Sequence, residues 1–521
     1  MTLVSFFSLV ACQKEGDGKI LFTAIIETPS TQSKTSITNT GVMTWLNGDQ
    51  IAVFDNGGNG VVSHLAATPT GNHKTADFTL VSGYEEPSDG PYYAIYPASI
   101  ATTYNTITLP SEYTYDGSRF DAPMYAYSNN NQLVFKNLCG VMQLNLTANK
   151  SINSIVITTD QAIAGEFSLD YNGGNPIMIA TQNNNGNTLT INFDNSVDCS
   201  GTGQSFYVYL PIGNYGEMSI TIYATGATYC TKTLQSGQTF IVGHNTLNPL
   251  NFNNPQFRPI GSKGGFFSVG VNKKVWFSQG NLQYIGSATT PYWKFANNQY
   301  DIFGTTSGQN SSVANVDRDL FGFGTSGWNS GASCYMPWST TASYDHYYPG
   351  GSFRNGLTGN YAEADWAWHN PIYNGGNNNH LWRTLTVDEW QYLLFNRTNA
   401  SSKKGTGNIE GIGGLIILPD NWELPSGCTF TPGTSRNWAL NNISLSQWSK
   451  MEEAGAVFMP AAGCREETDI RQVGEVGYYW SSTPYYIGNS AFCMRFISLE
   501  FNTVTQGRDI GTSVRPVRVN N

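Results

Sequence analysis

The residues able to ligate a metal or to attack a bond are few and scattered. Eight cysteines are spread over 521 residues with no Cys-x-x-Cys pair, and the six histidines, at 64, 73, 244, 346, 369 and 380, do not join them at ligand spacing. No resident metal or cofactor is therefore expected. No Gly-x-Ser-x-Gly elbow marks a nucleophile and no local signature sets up a glycosidase-like carboxylate pair, so the chain reads as a binding protein before an enzyme. Cys464 and Cys493 lie beside adjacent predicted strands. In an oxidising compartment they could form a structural disulfide; two free buried thiols are the other reading.

Contact chemistry is better represented. Tyr485, Tyr486, Asn489, Asn502, Arg508 and Asp509 fall on turn-rich segments between predicted strands. Tyrosine and asparagine give flat contact area and adaptable hydrogen bonds at modest entropy cost, which suits ligand binding. The same tyrosines could instead cover an aromatic core. Trp366-Ala-Trp368-His369 and Tyr344-Asp-His-Tyr-Tyr348 could stack on a sugar ring, although aromatic packing beneath long loops explains them equally.

Short strands must position these groups. Charged residues make up only 12% of the chain, and Gly, Asn, Ser, Thr and Tyr are abundant, which disfavours a helical bundle. The net charge of -10 arises entirely in residues 1–255, where 8 Lys+Arg face 18 Asp+Glu; the remainder is balanced at 19 each. No basic patch supports nucleic-acid binding. The length predicts about three domains.

From Lys19 to about residue 252, β-branched and aromatic runs alternate with Asn/Gly turns, as in Gln50-Ile-Ala-Val-Phe54, Ile155-Val-Ile-Thr158 and Met218-Ser-Ile-Thr-Ile-Tyr223. A fresh series starts after Asn129-Asn-Asn131. The predicted organisation is a leader and tether at 1–18, antiparallel β-sandwiches at 19–132 and 133–255, and a third domain at 256–521. Twelve of the 13 tryptophans lie between Trp276 and Trp480, so the third domain has a different core. Capping boxes at Thr386/Glu389 and Ser444/Gln447 predict helices over 386–397 and 444–454, followed by a small antiparallel sheet in an α+β arrangement. Within it, Phe492, Met494 and Phe496 are assigned to the core side of one strand.

At the start of the chain, residues 2–11 form an apolar run far short of the ~20 residues that span a bilayer. Leu9-Val10-Ala11-Cys12 resembles a bacterial lipobox, which would make Cys12 a lipidated N-terminus holding the protein to the outer membrane. No Lys or Arg precedes the run, and a buried N-terminal strand is the alternative.

Lys34-Thr-Ser-Ile-Thr38, Trp45-Leu-Asn-Gly-Asp-Gln-Ile-Ala-Val-Phe54, Tyr92-Tyr-Ala-Ile-Tyr-Pro97 and Phe135-Lys-Asn-Leu-Cys-Gly-Val-Met-Gln-Leu144 make residues 20–252 resemble the fimbrillin family, lipoprotein pilins built from two transthyretin-like sandwiches. That resemblance implies assembly with other pilus subunits by strand exchange, after a protease trims the first strand behind a basic residue. Lys34, the single Lys or Arg between Lys19 and Lys74, would be the cut site; a solvated loop lysine is the alternative.

Gln279-Gly-Asn-Leu-Gln-Tyr284, Trp382-Arg-Thr-Leu-Thr-Val-Asp-Glu-Trp390, Tyr479-Trp-Ser-Ser-Thr483 and Ser513-Val-Arg-Pro-Val-Arg518 make 258–521 look like the C-type-lectin-like fold of major-paralogous-domain surface proteins, and more distantly like formylglycine-generating enzymes. Such enzymes use a cysteine pair where this chain offers Cys493 alone. The Glu-Pro-Asn and Trp-Asn-Asp motifs of calcium-dependent lectins are absent. The expectation is a cell-surface adhesin or pilus-tip subunit, with a surface receptor for glycan or protein as the alternative; the partners would be pilus subunits and host or bacterial surface glycans or proteins.

Overall fold

The computed structural model describes residues 20–27, 44–58, 62–71, 73–115, 121–171, 174–234, 237–244, 246–305 and 308–519. Cys12 and Lys34 lie outside them. The chain forms two compact units, Met1–Phe257 and Arg258–Asn521, and is mostly β. No helix among the described residues is long and apolar enough to cross a membrane.

The first unit begins with a closed barrel. Its strands run in the order Phe22–Ile26, Gln132–Asn137, Met124–Ser128, Tyr92–Tyr96, Gln50–Phe54, Val62–Thr70 and Thr75–Leu80, the last pairing back onto the first. Alternation in Phe22-Thr-Ala-Ile-Ile26 sends Phe22, Ala24 and Ile26 inward. They meet Trp45, whose ring stands edge-on to Phe78 and Tyr96 at 5.1 Å and to Phe135 at 5.4 Å. Each large apolar side chain buried there contributes about 1.5–3 kcal/mol.

The rest of this unit packs a second core between two sheets. Cys139–Thr147 pairs with Gln204–Pro211 and Leu247–Asn253, while Ser151–Thr159 lies between Thr188–Asp198 and Met218–Ala224. Two expectations need correction. The sheets are not wholly antiparallel, because Phe22–Ile26 runs parallel to Gln132–Asn137, Cys139–Thr147 to Leu247–Asn253, and Glu112–Tyr115 to Thr188–Asp198. The division at residue 132 also departs from the sheets. Gln132–Asn137 completes the barrel, whereas Thr106–Leu109 and Glu112–Tyr115 pair with Gly165–Asp170 and Thr188–Asp198 of the later part. Apolar runs mark strands, but partners this remote in sequence leave no local signal.

In the second unit the terminal strand Val517–Val519 pairs with Lys273–Phe277, joining the unit's two ends. Both predicted caps form. Thr386 accepts from Glu389 N–H ahead of the helix Val387–Gln391, which continues as a π-helical turn over Tyr392–Asn396. Ser444 and Gln447 cap Leu445–Glu453. A hairpin absent from the sequence reading, Lys404–Ile409 with Ile412–Ile417, lies between the two helices in chain order. Its glycines conceal it from a propensity argument yet are required: a Cβ on Gly413 would lie 2.3 Å from the Trp438 ring.

Candidate functional site

Val476–Pro484, Ser490–Ile497 and Glu500–Gly507 form a three-stranded meander. Its middle strand is buried on both faces, so its surroundings differ from the one-sided reading. Met494 and Phe496 enter one core with Trp390 and Leu393, while Ala491 and Cys493 enter another with Trp366, Trp382 and Trp480. Phe492, expected in the core, is only half-buried near the strand's start.

The connection 485–489 is what this hairpin offers to solvent. Tyr485 is half-buried with its ring edge-on to Phe492 at 5.4 Å, and its N–H donates to Ser490 O at 3.1 Å. Tyr486 and Ile487 are 68% and 71% exposed. Asn489 is exposed at the return of the turn, and its carbonyl accepts from Arg508 N–H at 3.3 Å. Ile487 escaped the sequence reading, although an apolar residue in a turn between Tyr486 and Gly488, with no core to face, was the available signal.

Arg508 was expected among the exposed contacts; its side chain is fully buried. Its guanidinium donates from Nε to Ser490 O at 3.2 Å, from Nη1 to Asn355 O at 3.1 Å and from Nη2 to Phe353 O. It lies over the rings of Phe323 at 4.8 Å and Tyr348 at 5.0 Å. Burial pulls its pKa down to about 10, with Tyr348 opposing, so it remains a cation at neutral pH. One guanidinium thus ties the hairpin tip to segment 348–355, which carries half-buried Tyr348 and Phe353 and exposed Arg354. Phe353 and Arg354 were not predicted, whereas Tyr348 ends the Tyr344–Tyr348 run considered above for stacking.

The other two candidates lie elsewhere. Asn502 is exposed but pairs with Arg495, five residues along the strand from Gly507, or roughly 17 Å at ~3.4 Å per residue. Asp509 is half-buried; burial raises its carboxyl pKa, and Glu466 and Glu467 add to the rise against Arg465. The structure therefore gathers Tyr485, Tyr486 and Asn489 above a buried Arg508 and separates Asn502 from them.

Cys464 and Cys493 are free buried thiols, so the disulfide reading does not hold. Burial pushes the Cys464 thiol up to about 11 and raises Cys493 further. Neither has the exposed, electropositive setting of a reactive cysteine.

Of the aromatic runs, Trp366 is fully buried and donates from Nε1 to Thr325 Oγ1 at 3.1 Å, and Tyr347 is buried as well. Trp368 is half-buried with its ring 5.0 Å from His380. Glu363 bridges His369 Nδ1 and His380 Nε2, each at 2.8 Å. Burial opposes ionisation of Glu363, but the two imidazoles hold its carboxyl below the ordinary range. Among the described residues no group of three or more His, Cys, Asp or Glu is placed to hold a metal ion.

No family model matches the chain, and no curated protein matches it in sequence. Solved structures similar to it include a candidate cell adhesion protein from Bacteroides ovatus, at 12% identity and a TM-score of 0.28 over 41% of this chain and 86% of that one. The tip fimbrial protein Mfa3 of Porphyromonas gingivalis, with a C-terminal truncation, is similar at 10% identity and a TM-score of 0.23 over 46% of this chain and 98% of that one. A fimbrial protein from Bacteroides ovatus is similar at 12% identity and a TM-score of 0.22, over 96% of this chain and 99% of that one.

Proposed function

We propose that this chain is a cell-surface adhesin or pilus-tip subunit that recognises its ligand through the hairpin tip of its lectin-like C-terminal unit. The observation that carries this reading is the projection of Tyr486 and Ile487 from a strand whose two faces are both buried. Large apolar and aromatic groups left in solvent on a rigid base are the usual makings of a contact surface. Arg508 supports the reading by fixing the tip to its neighbouring segment before any ligand arrives, which lowers the ordering cost of binding.

The pilus part of the proposal rests on the first strand. Phe22–Ile26 completes the barrel between two neighbours and is followed by the stretch that contains Lys34. Trimming after Lys34 would remove that strand and open a groove for a neighbour's strand, with lipid on Cys12 serving for transport. The alternative is a non-polymerising lipoprotein receptor that keeps both. An enzyme of the formylglycine-generating kind is disfavoured by the burial of Cys493.

N-terminal sequencing and intact mass of the protein recovered from its own cell surface test this assignment. A chain beginning at Thr35 favours the pilin, a chain lipidated at Cys12 favours the receptor, and an unprocessed chain retained inside the cell contradicts both.

A further inference from the structure

Away from the hairpin tip, five tyrosines of the first unit form a connected cluster. Tyr93 lies on Tyr92–Tyr96 and Tyr127 on Met124–Ser128, and the two are direct cross-strand partners. Strand alternation sends Tyr92, Ala94 and Tyr96 into the barrel and leaves Tyr93 on its outer face. Tyr125 and Tyr127 share that outer face. Tyr104, in the turn between Ala101–Thr103 and Thr106–Leu109, and Tyr171, just beyond Gly165–Asp170, come from the four-stranded sheet packed against it.

Tyr93 is the hub. Its ring centroid lies 4.9 Å from Tyr104, 5.0 Å from Tyr127 and 6.2 Å from Tyr125. Tyr171 closes the group at 5.7 Å from Tyr125 and 5.8 Å from Tyr127. All five contacts are tilted rather than stacked, which brings ring edges of neighbours together. Tyr125 is buried and the other four are half-buried, so each of the four keeps part of its surface open to a small oxidant. The backbone of Gly58 lies flat on Tyr104, where a Cβ would approach to 2.4 Å of the ring, and this holds that ring in place.

We propose that this cluster is a site of oxidative cross-linking, in which Tyr93 couples to Tyr104 as dityrosine under hydrogen peroxide. Phenylalanine would fill the same joint; the phenol adds a group that gives up one electron and one proton. Each of the two tyrosines loses an electron and its phenolic proton to form a tyrosyl radical. The radicals join through a new bond between ring carbons ortho to the oxygens. The hydrogens on those carbons leave as protons and the oxygens are reprotonated, which restores both phenols. Peroxide takes up the two electrons and two protons and becomes two waters. The product is a covalent bridge from the barrel to the adjoining sheet.

The full chain treated with hydrogen peroxide and a haem peroxidase, then cleaved between the two residues, reads this out by mass spectrometry. The monomer fraction should contain Tyr93 and Tyr104 fragments joined with the loss of two hydrogens. Tyr93→Phe and Tyr104→Phe, which keep the ring and the fold, should each abolish that product, and Tyr373→Phe, at an exposed tyrosine of the second unit, should leave it unchanged. Coupling confined to cross-linked dimers through exposed tyrosines, an unchanged intramolecular product in Tyr93→Phe, or no coupling in the monomer would each overturn the proposal.

Discussion

Two residues in the second unit make stability depend on pH. Asp319 and Asp365 are fully enclosed, and burial pushes each carboxyl up to about 6. Asp365 accepts from Ala367 and Thr384 N–H at 3.1 and 2.7 Å; Asp319 accepts from Phe303 N–H at 2.9 Å through one oxygen and leaves Oδ1 without a partner among the described residues. A folded-state value raised above the ordinary ~3.9 means that the folded protein holds the proton more tightly. The associated stability is complete below about pH 4 and is lost as pH rises to about 6. Asp319→Asn should flatten that decline in thermal unfolding measured between those limits; an unchanged slope would refute the assignment. At this scale the sequence was informative in part. Residue type and turn propensity located Tyr485, Tyr486 and Asn489, but whether an arginine near a turn faces water or carbonyls depends on Asn355 and Phe353, more than 150 residues away.

Elements explain why the tip is rigid. Arg508 satisfies three carbonyls from two separate segments, and truncation removes the donors to Asn355 O and Phe353 O while Ser490 O keeps Tyr485 N–H. Arg508→Ala should lower the unfolding free energy by about 3 kcal/mol, and Arg508→Lys, which keeps charge but not the planar fork, by less. Denaturant unfolding of the two variants checks the order; equal losses would remove the geometric argument. The helix after Thr386 was legible because both halves of its capping box are local, and Thr386→Ala should cost about 1 kcal/mol. Lys404–Ile409 was not legible, because its alternate glycines, Gly405 and Gly407, lack side chains and are required by close neighbours remote in sequence, Thr431 O at 2.8 Å and Asn441 O at 2.5 Å from where a Cβ would stand.

For the whole molecule, the predominance of short strands followed from composition, whereas barrel closure did not. Closure depends on Phe22–Ile26 running parallel to a strand more than 100 residues later and antiparallel to Thr75–Leu80. Parallel pairing of this kind needs a long crossover that no hairpin turn signals. A chain lacking residues 1–27 should therefore have a lower Tm, and a synthetic peptide spanning Ile20–Glu27 should restore it by refilling the gap. If the shortened chain melts with its parent, that strand does not complete the barrel.

Recognition by the hairpin tip is the central claim. It is tested most directly by screening the full chain against arrayed glycans and surface proteins, then titrating each captured ligand against the Tyr486→Ala/Ile487→Ala variant. The account predicts at least a tenfold rise in Kd, about 1.4 kcal/mol, with an unchanged Tm. A variant that binds every captured ligand as tightly as its parent would contradict it.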